Sequence, residues 1–289
     1  MDTDIGDDID DALALALLLC SPEVRVVGIA TVFGDTDLRA RLAAYVLQVY
    51  GSAHIPVAAG QARPLLARHQ LSGVCQASVL PDGLALPLSP LSGPELLIQA
   101  ARSYPGELTL LCFGPLTNLA LALSREPALG SWLRQVFFMG GASRIFWPDW
   151  NVRSDARAAR IVLEANLPLT MIGWNVTNPS HLRSHDLTRL QSASSPRLHL
   201  LARLIEAWQE AQPPWRAKLP KLHDALVVAA LCAPEFFRFA SMPMRVLVRG
   251  PFVGWTIPRL LAGPIVNAAL TVDYAQARAW MLRRWFAGA

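Results

Sequence analysis

Asp2, Asp4, Asp7, Asp8, Asp10 and Asp11 place six carboxylates within ten residues, directly ahead of the apolar run Ala12–Leu19. Ionised carboxylates packed this densely against an apolar helix repel one another unless a cation offsets them. An all-oxygen donor set suits a hard cation such as calcium or magnesium. The pattern reads as a strand ending at Asp4, a turn permitted by Gly6, and a helix capped by Asp10 or Asp11. Adjacent helical residues point about 100° apart. One of Asp10 and Asp11 can therefore face a metal while the other faces a substrate hydroxyl. A lone Asp-Asp pair would be an ordinary solvated cap. The strand–Gly–Asp-Asp–helix combination instead argues for a site at the carboxyl end of a strand.

Other residues carry chemistry only in combination. His223 and Asp224 open a second apolar run, where alone they would be a helix-start histidine and a cap. Thr117 and Asn118 are expected to cap the helix that follows them. Gly140-Gly141 permits a tight turn, and Met139 packs or touches a ligand. Trp147 and Trp150 either stack on a planar ligand or pack at a rim. Asp35, at the end of the run Val24–Thr31, is a candidate for orienting the site.

The elements that must position these residues alternate. Val24–Thr31, Leu108–Phe113, Gln135–Met139 and Leu169–Ile172 read as buried strands. Ala12–Leu19, Leu38–Tyr50, Pro94–Arg102, Leu116–Ser124 and Ala156–Ala165 read as helices. Such alternation predicts an α/β fold with a mostly parallel central sheet covered by helices on both faces. Residues 62–90, rich in Pro, Gly and Ser, read as a long loop, either functional or flexible. Helix is expected again from about His185 to Trp215 and over His223–Cys232. Late strands are expected at Met244–Val248 and Asn267–Val272, with a closing helix over Tyr274–Trp285. No repeat or linker divides the chain, so one domain over 1–289 is expected.

Composition excludes several classes. The 289 residues are 53% hydrophobic and 17% charged, enough for one large core. The net charge of +4 comes from scattered arginines, Arg39 and Arg41 among them, with Lys218 and Lys221 the only lysines. No basic stripe suggests nucleic-acid binding. The four cysteines match no zinc spacing. With no secretory signal and no run of about 18 apolar residues, a cytoplasmic enzyme clear of the membrane is expected.

The acidic segment resembles the N-terminal signature of the inosine–uridine nucleoside hydrolase family, in a variant with a longer loop. Further matches follow in order: Ala30–Asp35 (ATVFGD), Gly114–Asn118 (GPLTN), Met139-Gly140-Gly141, Trp150-Asn151-Val152 with Asp155, and Leu222-His223-Asp224-Ala225. The resemblance implies hydrolysis of the N-glycosidic bond of ribonucleosides, in purine and pyrimidine salvage, by a homodimer or homotetramer that binds calcium. By position it implies that Asp4 is both calcium ligand and general base, and that Asp11, Asp224 and the backbone carbonyl of Phe113 complete the metal set. Asp10, Met139, Asp149 and Asn151 fall on ribose contacts, and His223 on the group that protonates the leaving base. An imidazole titrating near neutrality would suit that role.

The chain also departs from the family pattern. Met1 directly precedes Asp2, where the family has an apolar strand, and an upstream start adding such a run is expected to raise soluble yield. Asp149 replaces a glutamate, Asn175 stands where an aspartate is commoner, and residues 142–148 form a shorter loop in which Ser143 is a weak stand-in for an asparagine. Two other readings compete. One is a magnesium-dependent phosphohydrolase with Asp2 or Asp4 as nucleophile, which lacks a well-placed lysine here. The other is a non-catalytic nucleoside or ribose binder.

Overall fold

The computed structural model describes residues 1–66, 73–215, 219–258 and 263–287. Nine strands form one sheet: β1 Asp2–Thr3, β2 Ile29–Thr31, β3 Val57–Ala58, β4 Leu108–Cys112, β5 Leu133–Met139, β6 Leu169–Ile172, β7 Phe237–Val246, β8 Thr256–Pro258 and β9 Ile265–Val272. Their order is β3-β2-β1-β4-β5-β6-β9-β7-β8. Every pair from β3 through β9 is parallel, whereas β7 runs antiparallel to both β9 and β8. The mostly parallel α/β sheet expected from the alternation is thus present.

Among the described residues, twelve helices accompany the sheet. They are α1 Asp10–Leu19, α2 Thr36–Val49, α3 Gly93–Ser103, α4 Thr117–Arg125, α5 Leu129–Trp132, α6 Trp150–Ser154, α7 Ala156–Glu164, α8 Trp174–Thr177, α9 Ser184–Gln191, α10 Pro196–Ala211, α11 His223–Cys232 and α12 Tyr274–Ala287. One apolar core joins α1, α2, α10, α11 and α12 to one face of the sheet, and a second joins α3, α4 and α7 to the other.

Two of these helices begin with acidic residues and continue almost wholly apolar. α1 (DDALALALLL) and α11 (HDALVVAALC) are apolar on nearly every side, as a helix enclosed by protein must be. They pack along each other, and α12 closes over α1, with the indole of Trp285 donating to the Leu13 carbonyl at 3.3 Å. Leu13, Leu15 and Leu17 have no exposed surface. Truncating one of them to alanine costs roughly 2–5 kcal/mol, so this pair of helices is rigidly held.

Several elements differ from expectation. Only Ile29–Thr31 of the run Val24–Thr31 joins the sheet, and just before it the Gly28 carbonyl accepts from the Met1 amino group at 3.1 Å. Residues 24–28 instead face Leu108–Leu111 across a cleft of about 390 Å³. The helical stretch from His185 breaks between Gln191 and Pro196, where proline opens α10. The strand expected at Met244–Val248 is the tail of the longer β7. Residues 67–72 of the long loop lie outside the described residues, and the rest carries a single short turn, Cys75–Val79. All four cysteines are free thiols. Among the described residues no helix is long and apolar enough to cross a membrane.

Candidate functional site

The run β3-β2-β1-β4-β5-β6 reverses direction between β1 and β4. In open parallel sheets such a reversal leaves a crevice at the carboxyl ends of the strands, and ligands bind there. The chain leaves β1 at Asp4, β4 at Phe113 and β5 at Met139, and all three line one cavity of about 710 Å³. Gly114 is required by this convergence. A Cβ there would meet Asp4 Oδ1 and Val32 Cγ1, each at 2.8 Å.

On the cavity floor, the packing of α1 against α11 brings together the first turns of two helices far apart in sequence. Carboxylate oxygens of Asp10, Asp11 and Asp224 all lie within 4.8 Å of one another. These side chains are buried, at 6%, 4% and 2% exposure. Helix N-termini favour negative charge, but not three carboxylates together without water. Burial first, then Asp10 and Asp11, raise Asp224 well above the carboxylate range. Burial, followed by Asp8 and Asp11, raises Asp10 likewise. Asp11 is pushed up to about 6 by burial, against the hydroxyl of Thr3, which donates to its Oδ1. Asp224 Oδ1 is buried and accepts no hydrogen bond from any described residue. Mutual repulsion, a stranded carboxylate oxygen and an all-oxygen donor set together fit a hard cation.

Asp4 lines the same cavity but is not one of the three clustered carboxylates. Burial, and next the charge of Asp11, raise it well above its ordinary value, while Arg39 pulls it down. Arg39 is not legible in the sequence, where it is one of the scattered arginines. It is wholly buried and reaches the acidic loop from α2. Its signal lies in helical periodicity: Arg39 falls on the buried face of α2 with Thr36, Ala40, Ala43 and Val46, where an unexplained charge calls for a partner.

The remaining candidates divide cleanly. Asn151 Nδ2 donates to the carbonyls of Phe113 and Met139, tying the ends of β4 and β5. A carbonyl oxygen has two lone pairs, so Phe113 can still face a cation. Asp149 is buried and caps α6, accepting from the Val152 amide at 3.1 Å, and burial pushes it up to about 6. His223 lies at the cavity with Nδ1 2.7 Å from Thr177 Oγ1. Burial, and then the charge of Lys221, lower it to about 4, below the near-neutral range expected of it. Trp147, Trp150, Trp174 and Trp208 also line the cavity, and Trp147 stacks on Trp174 at 4.4 Å.

Asp35 stands apart. It is exposed, it caps α2 by accepting from Leu38 N at 3.0 Å, and the cavity lining does not include it. Thr117 and Asn118 are not helix caps either. Thr117 donates to Asp155 Oδ2 at 2.8 Å, and Asn118 Nδ2 bridges Asp2 Oδ1 and the Thr31 carbonyl at 2.8 and 2.9 Å. Ser143 is buried beneath the mouth, where its amide donates to Asn175 Oδ1 at 2.8 Å.

Comparison with known proteins places this geometry. The family description "Inosine-uridine preferring nucleoside hydrolase" matches residues 1–279. The chain is 32% identical over 273 residues to a probable uridine nucleosidase 2 of Arabidopsis thaliana, covering 89% of this chain and 84% of that one. It is 30% identical over 280 residues to the pyrimidine-specific ribonucleoside hydrolase RihA of Salmonella paratyphi A, covering 91% and 90%. Its fold is similar to that of a plant nucleoside hydrolase, PpNRh1, with a TM-score of 0.87 at 26% identity over 98% of this chain and 97% of the other.

Proposed function

Because the chain belongs to the inosine–uridine preferring nucleoside hydrolase family, and is therefore an N-glycosyl hydrolase, we propose that it cuts ribonucleosides into free base and ribose at a calcium site on the cavity floor. The observation that carries this reading is the buried cluster of Asp10, Asp11 and Asp224, with its unsatisfied Asp224 oxygen.

Asp11 and Asp224 would hold the ion, with Asp4 and the Phe113 carbonyl adding oxygens. Asp10 stands close enough to add another or to accept a hydrogen bond from a ribose hydroxyl. When bound, calcium supplies the positive charge that lets these carboxylates ionise together and lowers the pKa of water. Asp4, which lines the cavity just past the end of β1, is the general base. It takes the proton of the attacking water. As the glycosidic bond lengthens, positive charge builds on the ribose, and the surrounding carboxylates and the Asn151 amide oxygen stabilise it. Asp149 faces the ribose from the start of α6. His223 is neutral near pH 7 and offers a ring N–H to the departing base. Trp147 and Trp150 provide flat apolar surface for that base.

The test is a panel of purine and pyrimidine nucleosides assayed for free base with calcium and with chelator. Base release that stops on chelation and returns with calcium supports the reading. Tight ribose or nucleoside binding with no base released marks a non-catalytic binder and refutes it. Within the panel, His223→Ala is expected to slow inosine more than an aryl riboside with an activated leaving group. Equal losses on both would remove His223 from the leaving-group role.

A further inference from the structure

The backbone carbonyls of the acidic loop, from Asp4 to Asp8, are engaged one after another by groups from elsewhere in the chain. Arg39 Nη1 donates to the carbonyl of Asp4 and, at 2.8 Å, to that of Ile5. The backbone amide of Gln76 donates to Gly6 O at 3.1 Å. The Cys75 thiol lies 3.4 Å from Gly6 O and 3.3 Å from Asp7 O. Gln76 Nε2 donates to Asp8 O at 2.7 Å. Arg39 also donates through Nε to Phe33 O at 2.7 Å and through Nη2 to the Asp7 carboxylate at 2.8 Å.

Arg39 and Gln76 have no exposed surface. Burying a guanidinium is costly unless its donors are all used, and here they converge on one loop and the strand end beside it. Gly6 belongs to the same arrangement. It sits at φ +119°, and a Cβ there would lie 2.3 Å from Val74 Cγ1, so the loop is seated directly on the segment that carries Gln76. The loop joins Asp4 to Asp10 and Asp11. Fixing its carbonyls fixes the backbone from which the carboxylates on either side project.

We infer that Arg39 and Gln76 form a harness that positions Asp4, Asp10 and Asp11 for the cation, an inference that rests on the calcium reading. They are positioning residues: Arg39 carries no side-chain oxygen, and neither it nor Gln76 lines the cavity. Groups that orient metal ligands typically cost about 10–100-fold in affinity when removed.

The test uses the full chain, with calcium affinity read by titration calorimetry on metal-free protein and the calcium-free melting temperature read alongside. Gln76→Met keeps the side-chain length but removes the Nε2 donor, and about 10-fold weaker calcium binding is expected. Arg39→Lys keeps the charge but cannot span four acceptors, so a loss of about 10–100-fold is expected. The exposed Arg41→Lys serves as control and should bind as wild type. At saturating calcium the Gln76 and Arg39 variants should lose kcat more than KM, because Asp4 is displaced. A lower melting temperature with calcium affinity kept within about twofold of wild type marks a structural brace and overturns the harness. Should Arg39→Lys fail to fold, Gln76→Met decides alone. Wild-type protein that takes up no calcium overturns both the calcium reading and the harness, whereas wild-type uptake with undiminished variants overturns only the harness.

Discussion

The floor of the cavity and its mouth are built by different means. On the floor, Asp10, Asp11 and Asp224 begin two helices that are enclosed by protein, and Asn151 ties together the strand ends beside them. Shifting any of these would expose apolar surface or strand a buried polar group. At the mouth, Trp147 and Trp150 are 42% and 50% exposed. They are placed by ring contacts, Trp147 on Trp174 and Trp150 edge-on to Phe33 at 6.3 Å. On the proposed function, chemistry would be anchored in the core, while recognition would sit on side chains that can change with little effect on folding. Of the departures from the family pattern, those at residues 142–149 and at Asn175 leave the clustered aspartates untouched.

If this contrast is right, substitutions should sort by region. On the floor, Asp11→Ala or Asp224→Ala should abolish calcium uptake and cut base release by roughly 10³-fold or more, since several kcal/mol of stabilisation go with the ion. Calorimetry and a base-release assay on the same sample check this. Asp4→Asn should retain the fold and lower kcat by about 10²–10⁴-fold, the usual contribution of a general base. A variant with full turnover would show that another group takes the proton.

Asp149 lies where the two regions meet. Its carboxyl, raised from 3.8 to about 6 by burial, keeps its proton in the folded state where the unfolded chain has lost it. Stability therefore falls as pH rises from about 4 to about 6, and stays lowered above that. Asn caps a helix as well as Asp does. Calcium-free Asp149→Asn should then be more stable than wild type near pH 8, by about 3 kcal/mol at most, and should converge with it near pH 4. A gap that does not change with pH would contradict a burial-driven shift. At the mouth itself, Trp147→Ala should raise KM by about 2–10-fold with kcat little changed, the signature of lost stacking.

Legibility in the sequence follows the same division. α1 and α11 are readable because continuous apolar runs with acidic starts have few other uses, and His223–Cys232 is the helix as expected. β6 likewise coincides with Leu169–Ile172. The early part of β7 is obscured, since Arg238, Ser241 and Pro243 interrupt its alternation and its place is set by pairing with β9. Arg39 is hidden for a related reason. Three of its partners are backbone carbonyls, which leave no trace in residue type. Asp35 misleads in the opposite sense, as a carboxylate at a strand end that serves only to cap a helix among the described contacts.

On the proposed reading, a cation is gripped between the first turns of α1 and α11. Crystals grown with calcium test it most directly. Density for an ion coordinated by Asp11 and Asp224, and lost on soaking with chelator, is the predicted result. Ordered water alone between those two carboxylates, at calcium concentrations that support base release, would contradict it.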